Sequence, residues 1–117
     1  MTMIKTVVQA AYDSFLADPT TWTQGSSARA KDDSQVYYGS PEAVRWCAAG
    51  RIYRLALDLI RGHPTDAANL ANEAVSSIDN YLIAKGERNG LTIINDRLGY
   101  DVMMGALKDY LDSLEAA

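Results

Sequence analysis

Ser40-Pro41-Glu42-Ala43-Val44-Arg45-Trp46-Cys47-Ala48-Ala49-Gly50 is the stretch on which the reading of the fold turns. It has the marks of a helix opening. Ser40 is an N-cap residue, Pro41 suits the first helical position because its missing N–H costs nothing there, and Glu42 complements the helix dipole. From this start the spacing predicts a second helix running to about Arg61 and stopped by Gly62-His63-Pro64. At about 100° per residue, Val44, Trp46, Ala48, Ile52, Leu55, Ala56 and Leu59 cover most of its circumference. Arg51, Arg54, Asp58, Arg61 and Cys47 share the remaining strip. A helix this broadly apolar must be covered on several sides, so the segment is expected to be the hub of the molecule. The same breadth points to a self-association face, and hence to a homodimer.

Outward from the hub, three further helices are predicted. Helix one spans about Thr2 to Ala17, with Ile4, Val7, Val8, Ala11, Phe15 and Leu16 at three- and four-residue steps, and Asp18-Pro19 ends it. Helix three is capped by Thr65 and runs to about Lys85, with Ala67, Leu70, Ala71, Ala74, Ile78 and Leu82 forming one stripe. Helix four covers about Tyr100 to Leu114. Leu91 to Ile94 reads either as a short extended piece or as a helical turn. Residues 19–39 lack a helical period, although Val36-Tyr37-Tyr38 has the look of an extended segment. A loop that long is either functional or a flap whose Trp22 and tyrosines plug the bundle. The expected fold is therefore all-α, one domain over residues 1–117. It is a small irregular four-helix bundle with a long loop between helices one and two.

Composition narrows the class of protein. A length of 117 residues fits a single domain, and 48% hydrophobic residues is too many for intrinsic disorder. One cysteine precludes an internal disulfide and suits a reducing compartment. Met1 to Lys5 carries no signal-like apolar run and no apolar stretch is long enough for a membrane, so a cytoplasmic protein is expected. The net charge of -4 disfavours broad nucleic-acid binding.

Candidate chemistry is sparse, and neither catalytic residues, a metal nor a cofactor is expected. Cys47 near a helix start invites a nucleophile reading, but the single histidine, His63, lies at the far end of the same predicted helix, so packing is the expected role. Arg45 falls on the apolar side of that helix, where it either pairs with Asp96 or snorkels past the helix end. Arg51, Arg54 and Arg61 form either an anion clamp or, with Asp58, a solvated face. Trp22 and Gln24 suit a planar ligand such as a nucleobase, or burial against the helix ends. Asn95-Asp96 reads as a ligand anchor or as a cap.

Three landmarks together resemble a small uncharacterised helical family of bacteria and phages: Trp22-x-Gln24-Gly25, Trp46-Cys47-Ala48-x-Gly50 and Asn95-Asp96. The chain departs from that family's pattern at Arg51, where a small residue is usual, and at Ile94, where a tryptophan often stands. The resemblance implies a helical fold and a phage or prophage setting, without a chemistry. The first expectation for function is a non-enzymatic binding protein, a phage-type accessory factor directed at a host protein, nucleoprotein or defence complex. The second is capture of a nucleotide-like ligand by Trp22, Gln24, Arg45 and Asp96, with Trp46 and Asn95 as further candidates for ligand or partner binding, and an enzyme ranks third.

Overall fold

Thr2 opens the first helix, α1 (Met3–Ala17), by accepting the Lys5 N–H on its hydroxyl at 3.4 Å. Asp18 closes it and at once caps a 3₁₀ turn, Pro19–Thr21, through a 3.1 Å bond from the Thr20 N–H. The chain then forms two short strands, β1 (Ala28–Ala30) and β2 (Ala43–Trp46), and four more helices. These are α2 (Ala48–Leu59), α3 (Pro64–Ala84), α4 (Leu91–Ile93) and α5 (Tyr100–Ala116). The structure, a computed structural model, describes residues 2–116. Among them no helix is long and apolar enough to cross a membrane.

The fold is mostly helical as expected, but it is not a four-helix bundle: five helices accompany a two-stranded antiparallel sheet. α1, α3 and α5 pack on one another, and α2 covers α1 and α3. Val7, Val8 and Phe15 of α1 meet Ile52 and Ala56 of α2, Ala74 and Ile78 of α3, and Met103 and Leu107 of α5 in one dry core. A second, smaller cluster joins Ala28, Ala43 and Trp46, with Val36 and Tyr38 against it.

The largest correction concerns residues 40–47. The Ser40-Pro41-Glu42 signal is genuine, since the Glu42 N–H donates to Ser40 Oγ at 3.1 Å and the Ala43 N–H to Ser40 O at 3.1 Å. It starts a single turn, not a helix. Residues 43–46 pair instead with β1, matching Ala28 to Trp46, Arg29 to Arg45 and Ala30 to Ala43. The register slips between Arg29 and Ala30, leaving Val44 as the bulged residue, 41% exposed. Strand pairing wins because it buries Ala43 and Trp46 together in the small cluster, which a helix running on to Trp46 would break. The helix proper begins at Ala48, with Cys47 as its N-cap. Much of the apparent breadth of the hub helix came from reading strand residues at helical spacing. Leu59, which that reading placed inward, is 47% exposed.

Smaller corrections follow the same logic. α3 begins at Pro64 and not after a Thr65 cap: His63, at φ −130° and ψ 68°, is kept out of the helical region by the proline after it, and Pro64 takes the first helical position. The 19–39 segment carries ordered structure: β1, the Val36 N–H bonded to Ala28 O at 3.1 Å, and an Arg29–Gln35 bridge. Of the two readings for residues 91–94, the helical one holds. Asp79 of α3 accepts the Leu91 N–H at 2.8 Å, and α4 runs on into a π-helical turn, Ile94–Leu98. A Cβ at Gly90 would lie 2.9 Å from Asp79 Oδ1, so a larger residue there would displace the carboxylate that caps Leu91.

Candidate functional site

Asn95 is the one fully buried polar side chain among the described residues. Its Oδ1 accepts the Trp22 indole N–H at 2.7 Å and the Ala48 N–H, the first of α2, at 2.9 Å. Its Nδ2 donates to Thr23 O at 3.0 Å and to Asp96 Oδ1 at 3.0 Å. All four hydrogen-bonding positions of the amide are thereby used, which fixes its orientation. Gln24 Nε2 returns to the same corner, donating to Asn95 O at 3.1 Å and Asp96 O at 3.3 Å. The Gly25 N–H donates to Asp96 Oδ1 at 2.9 Å, an approach that needs the left-handed backbone of Gly25, φ 77°. The Thr23 N–H completes the join by donating to Trp46 O at 3.0 Å.

The three sequence landmarks thus converge on one polar knot that ties the 19–30 segment, the start of α2 and the π turn together. Gly50 has its reason here as well. A Cβ at that position would stand 2.0 Å from Ser27 O, the carbonyl that accepts the Cys47 N–H. Trp22 is held further by an edge-to-face contact with Tyr100, ring centres 5.5 Å apart, and Tyr100 itself donates to Phe15 O at 2.8 Å.

Of the candidate residues, Trp22, Gln24, Trp46, Asn95 and Asp96 all take part in or border this knot. Arg45 does not: of its two readings, pairing with Asp96 is not found, and the residue lies on a strand with no helix end to pass. Its guanidinium donates to Ala30 O at 2.8 Å and to Asp33 Oδ1 at 3.0 Å, across the sheet, because β2 turns it away from α2. Trp46 donates its indole N–H to Tyr38 O at 3.0 Å and carries the Arg51 guanidinium 4.4 Å from its ring centre. Arg54 donates to Ser40 O at 3.0 Å and pairs with Asp58 at 3.6 Å, so it anchors the turn before β2.

Cys47 is buried and caps α2, its Sγ accepting the Gly50 N–H at 3.2 Å. Burial first, and the negative charge of Asp96 after it, push the thiol above its ordinary value, against the lowering by the Gly50 N–H. A protonated, enclosed thiol suits packing and capping. His63 sits before α3, beyond the opposite end of α2.

Beside the knot lies an open groove of about 510 Å³. It is lined by Gly25, Ser26 and Ser27, by Tyr37, Tyr38 and Tyr53, by Cys47, Ala49 and Gly50 at the start of α2, and by Thr92 and Asp96. The tyrosine rings are stacked in tilted fashion, Tyr37 to Tyr38 at 4.3 Å and Tyr38 to Tyr53 at 5.0 Å. The Tyr37 phenol, then partial burial, push the Tyr38 hydroxyl up to about 12. Tyr53 donates to Asn72 of α3, which fixes its ring against the bundle. The tyrosines escaped the sequence reading as a group, because only the turn at Gly39 and the strand after it bring Tyr37 and Tyr38 over α2. A Cβ on Gly39 would stand 2.6 Å from the Tyr37 ring. No protein-family model, curated protein or solved structure matches the chain.

Proposed function

We propose that this is a non-enzymatic binding protein that recognises a partner protein through the tyrosine-lined groove beside Asp96. The observation that carries this reading is the division of labour at that place. Trp22, Gln24 and Asn95 spend their polar atoms on one another, while Tyr37, Tyr53, Thr92 and one edge of Asp96 face outward around a space open to a partner. Tyrosines supply large amphipathic contact area at low entropic cost and are enriched where proteins bind each other. Tyr37 is 59% exposed, so its ring is accessible to a partner. The finer reading is an accessory factor of the phage or prophage kind, directed at a host protein or defence complex. It rests on the resemblance of the three landmarks.

A nucleotide-like ligand is the weaker reading. Trp22 Nε1 and Gln24 Nε2 already donate inside the protein, Arg45 points elsewhere, and the Asp96 carboxylate would oppose a phosphate.

The test is a photo-crosslinking amino acid at position 37 in cells of the protein's native source, with the same group at the exposed Glu73 of α3 as control. A discrete adduct formed from position 37 and not from position 73 supports the reading. Equal adducts from both positions, or none, overturn it.

A further inference from the structure

We propose that the groove takes an arginine side chain presented by the partner, with the guanidinium against the Asp96 carboxylate and the tyrosine rings. This deepens the binding function above and rests on it. Asp96 Oδ1 receives both the Gly25 N–H and Asn95 Nδ2, whereas Oδ2 has no protein donor among the described residues. The carboxylate is held rigidly by one oxygen and offers the other.

Charge in the groove runs one way. Asp96 is the single ionised group on its walls, and no basic residue lines it. Arg29, the nearest arginine to Gly25, is committed to Thr23 Oγ1, Gln24 O and Asp33 O. An anion is disfavoured twice over. Asp96 repels it, and N–H groups of the first turn of α2, which would otherwise attract it, are taken by Asn95 Oδ1 and Cys47 Sγ. A cation meets the opposite conditions, with an Asp96 carboxylate oxygen that receives no protein donor and the aromatic rings of Tyr37, Tyr38 and Tyr53 lining the same groove. Guanidinium fits better than ammonium, because its planar fork stacks on a ring while still donating to a carboxylate. The volume of the groove lies within the range of pockets that enclose small ligands, so one side chain with its flanking backbone can enter.

The experiment is an NMR titration of the full-length protein with the capped tripeptide Gly-Arg-Gly, and with its neutral isostere in which citrulline replaces arginine. Saturable shifts confined to the amides of Gly25, Ser26, Gly50 and Thr92 are expected, with the citrulline peptide at least about tenfold weaker. Tyr37→Ala, at an exposed position that leaves the fold intact, should weaken the arginine peptide several-fold. Asp96→Asn, which keeps an acceptor for Gly25, should remove the preference over citrulline. Equal binding of the two peptides overturns the proposal, and so do shifts scattered over the acidic faces of α3 and α5. No saturable shift up to roughly 20 mM peptide overturns it as well. Such a failure leaves the crosslinking result at position 37 untouched, so the arginine assignment and the binding function fall separately.

Discussion

In the bundle, Phe15, Ile52, Ile78 and Leu107 are fully buried and have no side-chain polar atom to satisfy, whereas in the half built from residues 19–47 and 91–98 the buried Asn95 side chain makes four hydrogen bonds. The first region is held by area removed from water, which is non-directional and forgiving of shape-conserving change. The second lends Leu91 and Ile94 to that core and otherwise has a small apolar cluster around Trp46, and its segments are located by donors and acceptors at fixed positions. Such a network is stable when complete, but losing one member leaves its neighbours buried and unpaired. The difference explains why the groove forms on the knot side. Directional bonds can position an open surface that a dry core would have to fill.

The comparison breaks or sharpens most at Asn95. Asn95→Ala removes four hydrogen bonds and strands the Trp22 and Ala48 N–H groups, so a loss of about 4 kcal/mol is expected in urea unfolding. Phe15→Leu, a change of shape in the apolar half, should cost about 1 kcal/mol by the same measurement. Similar losses at the two sites would erase the distinction. Gly50→Ala comes next, at about 3 kcal/mol, because the Ser27 carbonyl 2.0 Å from the new methyl is backbone and cannot rotate away. Ala at Gly105, where nothing lies within 4 Å of the new atom, serves as the control and should be neutral or slightly stabilising.

The smallest effect concerns protons. Burial holds the Cys47 thiol above its ordinary value of 9.0, so the folded state keeps its proton at a pH where the unfolded chain releases it. Stability from this source is complete below 9.0 and declines as pH rises through it. Tyr38 acts in the same direction between its ordinary 10.0 and about 12. Melting temperature should therefore fall above pH 9, less steeply in Cys47→Ala, and labelling of the native thiol by a disulfide reagent at pH 8 should be slow until the protein unfolds. Rapid native labelling would show that the knot opens readily.

Local signals in the chain were enough for the long helices. The stripes of α1, α3 and α5 follow from apolar residues at helical spacing, except that Leu16, placed on the α1 stripe, is 61% exposed; Asp18-Pro19 and Gly62-His63-Pro64 mark real breaks, and the three landmarks are the residues that meet. Those features depend on neighbours within a few positions, where propensity and periodicity act. What Arg45 faces, where α2 begins and why Tyr37 and Tyr38 lie over Tyr53 depend on contacts far apart in the chain. Residues 40–46 carry a sound helix signal, yet they become a turn and a strand because β1 waits, about fifteen positions earlier, to pair with them. Asn95 and Asp96 lie 71 positions from their partners Gln24 and Gly25, and no local rule distinguishes a cap from the centre of a network. The sequence by itself determined a mostly helical fold with breaks at Asp18-Pro19 and Gly62-His63-Pro64. Only the tertiary structure decided that its polar landmarks are spent on one another and that its groove is made of tyrosines and one carboxylate, because that choice is made by which backbone groups are left to be satisfied once the helices have packed.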